Sequence, residues 1–201
     1  MPGCCNNEIE FDGQSPQYHR VLWTVIAINA VMFAVEIVTG ALSGSKALQA
    51  DALDFAGDTG TYALSLWVIG KPLLWRTRAA TLKGASLLVM GLVILVTTLL
   101  SFGNAAPPLA GWMGGIALLA LAANVTSALL LMRFRNGDAN IRSVWLCSRN
   151  DAIGNVGVIA AAGLVAWLNS PWPDLILALV MASLFTHSAF SILRQARHES
   201  S

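Results

Sequence analysis

Apolar residues along this chain fall into six blocks, at about 21–42, 47–70, 84–103, 111–132, 147–168 and 174–194, separated by short polar stretches. A hydrocarbon core about 30 Å thick is crossed by roughly 20 apolar residues in helix, so each block predicts one membrane-spanning helix. The interruptions SGSK, KPLLWRTRAATLK, GNAAPPLAG, RFRNGDANIR and NSPWP carry the Gly, Pro, Asn and charge of loops. No long linker or low-complexity run divides the blocks. The pattern therefore predicts an all-α membrane protein, a six-transmembrane-helix bundle over 21–194 with a tail over 1–20 and a short tail over 195–201. The first block is too long for a signal-peptide core and follows a polar, partly acidic tail, so it is expected to be retained.

Composition agrees: 56% of the residues are hydrophobic and only 11% charged, well to the apolar side of a soluble domain. A net charge of +1 is too small to suggest nucleic acid as a partner. Instead the basic residues sort by membrane side. Arg20, then Lys71, Arg76, Arg78 and Lys83, then Arg133, Arg135 and Arg142, and finally Arg194 and Arg197 fall at one side of the alternation, leaving only Lys46 and Arg149 of the twelve. Lys and Arg favour cytoplasmic loops, so both termini are expected in the cytoplasm, as in a bacterial inner or plasma membrane protein. With the tail cytoplasmic, Cys4 and Cys5 are not expected to form a disulfide framework.

Against this scarcity of charge, SKALQADALDFAGDTG places three acids in the second block. At 100° per residue, Asp54 and Asp58 lie about 40° apart and Asp51 about 60° from Asp54, so all three share one face. A charge at the bilayer centre costs at least ~2.5 to 3.5 kcal/mol, so that face must meet a cavity, neutralise, or bind a cation. Asp51, nearest the helix end, fits a hydrogen-bonded helix-end acid as well. In the fifth block Cys147, Asp151 and Asn155 recur every four residues along one stripe. Two carboxylates from one helix with a thiolate and a carboxylate from another suit tetrahedral Zn²⁺ or a similar divalent ion. Such ligands must be deprotonated, which ties occupancy to pH. Cys147 by itself fits a small packing residue equally well.

At these residues the chain resembles the cation diffusion facilitator family. NAVMFAVEIVTGALSGSKALQADALDFAGD, Asn29 to Asp58, is similar to that family's first two helices. GDANIRSVWLCSRNDAIGNVGVIAA, Gly137 to Ala161, is similar to its fifth, and NVTSALLLM from Asn124 and the closing PDLILALVMASL to its fourth and sixth. The resemblance implies efflux of Zn²⁺ or a related ion such as Cd²⁺ or Co²⁺ in exchange for protons, through a six-helix bundle. By position, Asp54, Asp58, Cys147 and Asp151 match the family's four metal ligands. Metal ions, protons and the lipid bilayer are then the partners, with no organic cofactor and no catalytic residues. Two departures stand out: Cys147 where His is usual, and Asn150 where Gly is common. ILRQARHESS also leaves no room for the family's cytoplasmic metal-sensing domain, so a short form is expected, and any homodimer would form through membrane helices.

Other residues read more plainly. Glu36 and Asn124 are expected to make interhelical hydrogen bonds, with Glu36, Asp51 and Asn155 as candidate accessory or proton-pathway residues. His187 has no ligand partner at helical spacing. Gly57, Gly60, Gly154 and Gly157 are expected where helices approach closely. A non-transporting membrane metal sensor or scaffold could keep the same residues. An intramembrane hydrolase fits less well, because the chain has no GxSxG or HExxH motif. Counting from the helix ends sets Asp58 roughly 17 Å deep and Asp151 roughly 26 Å deep, a gap that tilt or an earlier start of the second helix must close. The charge asymmetry yields a direct test. Single cysteines at Lys46 and Arg78 should react with an impermeant thiol reagent from opposite membrane faces, and labelling from one face would refute the arrangement.

Overall fold

A computed structural model describes residues 15–69, 73–136 and 139–200. Its elements are α1 (Pro16–Ser43), α2 (Lys46–Val68), α3 (Leu73–Ser101), α4 (Ala110–Leu131), a single 3₁₀ turn (Met132–Phe134), α5 (Ala139–Leu168) and α6 (Trp172–Ser200). The described residues include no strand. Among the described residues, five helices are long and apolar enough to cross a membrane. The sixth, α2, carries Lys46 and three aspartates in its 23 residues and is enclosed by others. It touches α1, α3, α5 and α6, while its Phe55 packs with Met32 of α1 and Ala120 of α4.

Several helices outrun the apolar blocks. α1 starts at Pro16, where Ser15 caps it by accepting from the Tyr18 amide at 3.1 Å, a Ser-Pro start signal that hydropathy passes over. The segment from Lys71 to Lys83, expected as a loop, is helical from Leu73 onward. α5 likewise begins at Ala139 rather than 147, and α6 continues past 194 to Ser200. No Gly or Pro interrupts these charged extensions, so nothing stops the helix where the hydrocarbon does. Cys4 and Cys5 lie outside the described residues.

Two rings of tryptophan mark the ends. Trp23, Trp67 and Trp75 are exposed at one end, with Arg78 stacked 5.4 Å from the Trp75 ring; Trp112, Trp167 and Trp172 are exposed at the other. Amphipathic rings at both levels are the mark of two membrane–water interfaces. The arginines gather at the first ring, hereafter the basic end.

Close packing pairs α1 with α2, α3 with α6 and α4 with α5. A Cβ added at Gly91 would stand 2.8 Å from Thr186 Oγ1 and 3.2 Å from the Ala182 carbonyl oxygen, and one at Gly84 would stand 2.8 Å from Leu193 Cγ. These two glycines set the approach of α3 to α6. The glycines expected to do so behave differently. Gly57 and Gly157 sit in ordinary contact with α3 and α6, whereas Gly60 and Gly154 face open space.

At the end opposite the basic one, Asp174 in the first turn of α6 caps the start of α2. Its carboxylate accepts from Ser45 Oγ at 2.6 Å, the Lys46 amide at 2.7 Å and the Ala47 amide at 3.1 Å, and it is 1% exposed. An acid in this place satisfies amides that α2 cannot pair within itself. Asp174→Ala strands those donors and should destabilise the bundle by about 3 kcal/mol. A lowered melting midpoint in detergent, partly rescued in Asp174→Asn, would register the loss.

Candidate metal centre

The acids of α2 are held apart by the helix and turned inward by its neighbours. Asp58 is buried, while Asp54 is partly exposed. One turn toward the basic end, Tyr62 occupies the same stripe and donates its hydroxyl to Asp58 Oδ2. The same hydroxyl lies 3.3 Å from Ser148 Oγ and 3.4 Å from the Val144 carbonyl oxygen of α5. Tyr62 thereby ties α2 to α5 just below the aspartates.

From α5, Asp151 brings its carboxyl group into hydrogen-bonding contact with those of Asp54 and Asp58. Cys147, one turn nearer the basic end, contacts the Tyr62 hydroxyl and lies beside Asp58 and Asp54. It also packs against the apolar cluster of Tyr18, Leu22, Tyr62 and Val144, so it fills space as well as standing at the site. Asp58 lies 12 residues inside α2 and Asp151 17 residues inside the far end of α5. Because their carboxyl groups meet, tilt or offset of the helices must absorb the remaining difference of about 7 Å at 1.5 Å per residue. Starting α2 at Lys46 rather than 47 supplies little of it.

Carboxyl groups in contact inside an apolar bundle must share protons or surround a cation, because like charges at that distance repel strongly where water is scarce. Lys83 of α3 acts electrostatically on Asp54, Asp58 and Cys147, which places one positive charge near the basic side of the cluster. Asp54, Cys147 and Asp151 keep partial exposure as residues, while the Asp151 Oδ2 atom is buried. Among the described residues no three Asp, Glu, Cys or His side chains already stand as a formed coordination shell. A cation entering here must take Asp58 from Tyr62 and separate the carboxyl contacts. The donors themselves, three carboxylates and one thiol, suit a divalent ion between hard and soft.

The accessory residues lie nearer the opposite end. Glu36 and Asp51 are 0% and 2% exposed, and their carboxyl groups are in mutual contact, an interhelical pairing of the kind expected of Glu36. Asn155 is fully buried, and the Asn124 amide oxygen meets no donor. His187 is exposed on α6, away from the aspartates. Asn150 is also exposed, and it accepts from Arg149 at 3.2 Å; its departure from Gly therefore falls outside the site.

Sequence reasoning missed Tyr62, Ser148 and Lys83. Tyr62 was findable, since it follows Asp58 by four residues on the same stripe. Lys83 falls in a charged stretch that hydropathy alone reads as a loop.

The chain matches the family described as the cation efflux transmembrane domain over residues 22–72 and 75–199. It is 30% identical over 193 residues to the zinc transporter ZitB of Escherichia coli (strain K12), covering 90% of this chain and 62% of that protein. It is 26% identical to a cadmium, cobalt and zinc/H(+)-K(+) antiporter of Bacillus subtilis (strain 168), covering 89% of this chain and 61% of the relative. Identity is also 26% to the metal cation efflux system protein CzcD of Cupriavidus metallidurans, covering 81% and 55%. The chain thus spans about three fifths of the length of these relatives. A helical bundle with paired acids on α2 and α5, matched along nearly its whole length, belongs to the cation efflux transmembrane domain family.

Proposed function

We propose that this protein moves a divalent metal cation, Zn²⁺ before Cd²⁺ or Co²⁺, out of the cytoplasm in exchange for protons. Asp54, Asp58, Cys147 and Asp151 are its ligands. The observation that carries this reading is the contact of Asp151 with both Asp54 and Asp58, which brings acids from two helices together. The names of the relatives, zinc transporter and cadmium, cobalt and zinc antiporter, favour the same substrate class.

Exchange follows from the chemistry of the donors. With no metal bound, protons shared among the carboxyl groups keep the cluster near neutrality, helped by Lys83. An arriving cation displaces those protons and draws Asp58 away from the Tyr62 hydroxyl. Tyr62 keeps its alternative partners, Ser148 and the Val144 carbonyl, so releasing Asp58 does not strand it. When the site faces the other side, protons reoccupy the carboxylates and the ion leaves. By linkage, whatever a proton does to metal affinity, the metal does equally to proton affinity.

Flux of Zn²⁺ in liposomes tests the assignment. Asp58→Ala and Asp151→Ala should each lower it at least about tenfold, since loss of even an outer-shell partner costs that much, while insertion into the membrane persists. Unchanged flux in either variant would remove that residue from the site.

Cys147 has a separate test, because replacing a soft ligand alters preference rather than charge. In Cys147→Ser, Cd²⁺ flux should fall more than Mn²⁺ flux, and fewer protons should be released on Cd²⁺ binding at fixed pH. In Cys147→His, Zn²⁺ flux should survive. If Cys147→Ser changes neither ion preference nor proton release, the thiol only packs, and three aspartates with water hold the ion.

A further inference from the structure

The metal reading leaves unused the second acid pair, Glu36 of α1 with Asp51 of α2, about one helical turn from Asp54 toward the end opposite the basic one. Both residues are sealed from solvent, at 0% and 2% exposed. Their carboxyl groups are in hydrogen-bonding contact, yet neither oxygen of Glu36 has any donor from another residue, and Asp51 Oδ2 has none. Two ionised carboxylates cannot hydrogen-bond to each other. The contact becomes a bond only when one of the pair carries a proton.

The surroundings offer no other compensation. Among the described residues, the charged groups acting on Glu36 are Asp51 and Asp54, and Asp51 and Asp54 also act on each other. α4, which packs on α1, has no titratable residue. From α5 the nearest titratable group is Asp151, already engaged with Asp54 and Asp58. Lys46 lies at the end of α2 and bonds to Gln49 at 3.3 Å.

A second observation points to the same place. Asn155 is 0% exposed, and both polar atoms of its amide lack a partner. Along α5 it falls between Asp151, which meets Asp54, and Val158, which packs with Ala47 and Leu48. Those two contacts bracket Asn155 against the stretch of α2 centred on Asp51. An amide offers one acceptor and two donors, which suits a carboxyl pair that alternates between holding and yielding a proton.

We infer that Glu36, Asp51 and Asn155 form a proton station distinct from the metal ligands, which holds one proton between two carboxyl groups while the cation is bound. The inference rests on the reading of Asp54 and Asp58 as metal ligands. As the cation leaves, one proton passes from the pair to the vacated carboxylates, and another from the opposite end replaces it. Only O–H bonds are broken and made. Burial selects the occupant: a sealed carboxyl pair can exchange a bare proton, whereas a divalent ion would have to shed its water and part α1 from α2.

Infrared spectroscopy of the whole protein in lipid, saturated with Cd²⁺, reads the station directly. Metal binding deprotonates the ligands, so a carboxylic acid carbonyl band should persist in the wild type and be lost in Glu36→Gln. No such band in the Cd²⁺-saturated wild type overturns the proposal, as does a band that Glu36→Gln leaves unaltered. Transport supplies the second arm. The ratio of proton-driven Cd²⁺ flux to Cd²⁺–Cd²⁺ exchange, which moves no net proton, should fall several-fold in Glu36→Gln. An unchanged ratio counts against the station. Should Asp58→Ala keep its flux, the metal reading fails by itself, while the infrared band still decides whether the pair holds a proton.

Discussion

Carboxyl groups pressed against carboxyl groups, with little water to separate them, are the constraint on which this bundle depends. Asp54, Asp58 and Asp151 meet at one level and Glu36 and Asp51 at the next, within a chain only 11% charged. Five acids in that setting are untenable as bare anions. The fold answers by surrounding α2 with other helices, by presenting Tyr62 and Ser148 at the basic side of the cluster, and by bringing Lys83 within electrostatic reach. What remains is satisfied by protons shared among the carboxyl groups or by a cation between them.

Most of the architecture was legible because a bilayer turns hydropathy into geometry. Apolar blocks gave the number and order of helices, and the four-residue spacing of Cys147, Asp151 and Asn155 and of Asp54 and Asp58 gave their inward stripes. Helix ends were not legible. Hydropathy reports where hydrocarbon stops, whereas a helix stops where backbone chemistry stops it, so α3, α5 and α6 extend through Arg78, Arg142 and Arg197. Contacts between distant segments were hidden for another reason. Nothing in the local sequence around Asp174 says that it serves the first turn of α2, 128 residues away, and nothing around Lys83 says that it faces acids on a neighbouring helix. Glycine roles also escaped, because Gly84 and Gly91 matter through what stands opposite them on α6.

The site has two kinds of wall. Toward the basic end, Tyr62 and Cys147 sit in the cluster of Tyr18, Leu22, Val25 and Leu131, large residues that plug the bundle. Toward the other end, small residues dominate: Ala47, Ala117, Ala161 and Ala162 pack with Leu48, Met113 and Val158. Small side chains permit backbones to slide past one another with little repacking, so the two ends of the bundle differ in how readily they deform.

The cap that Asp174 places on α2 has a mechanical side. It rivets the start of α6 to the start of α2, while α6 is already zipped to α3 along Gly84 and Gly91. Asp174 thus holds α6 to α2 at one end, and Gly84 and Gly91 hold α6 to α3 farther toward the basic end. α5 shares far less surface with α2 than α4 does with α5, so the seam that carries the acids is a thin one. Since α2 is itself packed closely on α1, the Asp174 carboxylate links the pair α1–α2 to the pair α3–α6, and the two pairs cannot part at that end without breaking its three hydrogen bonds.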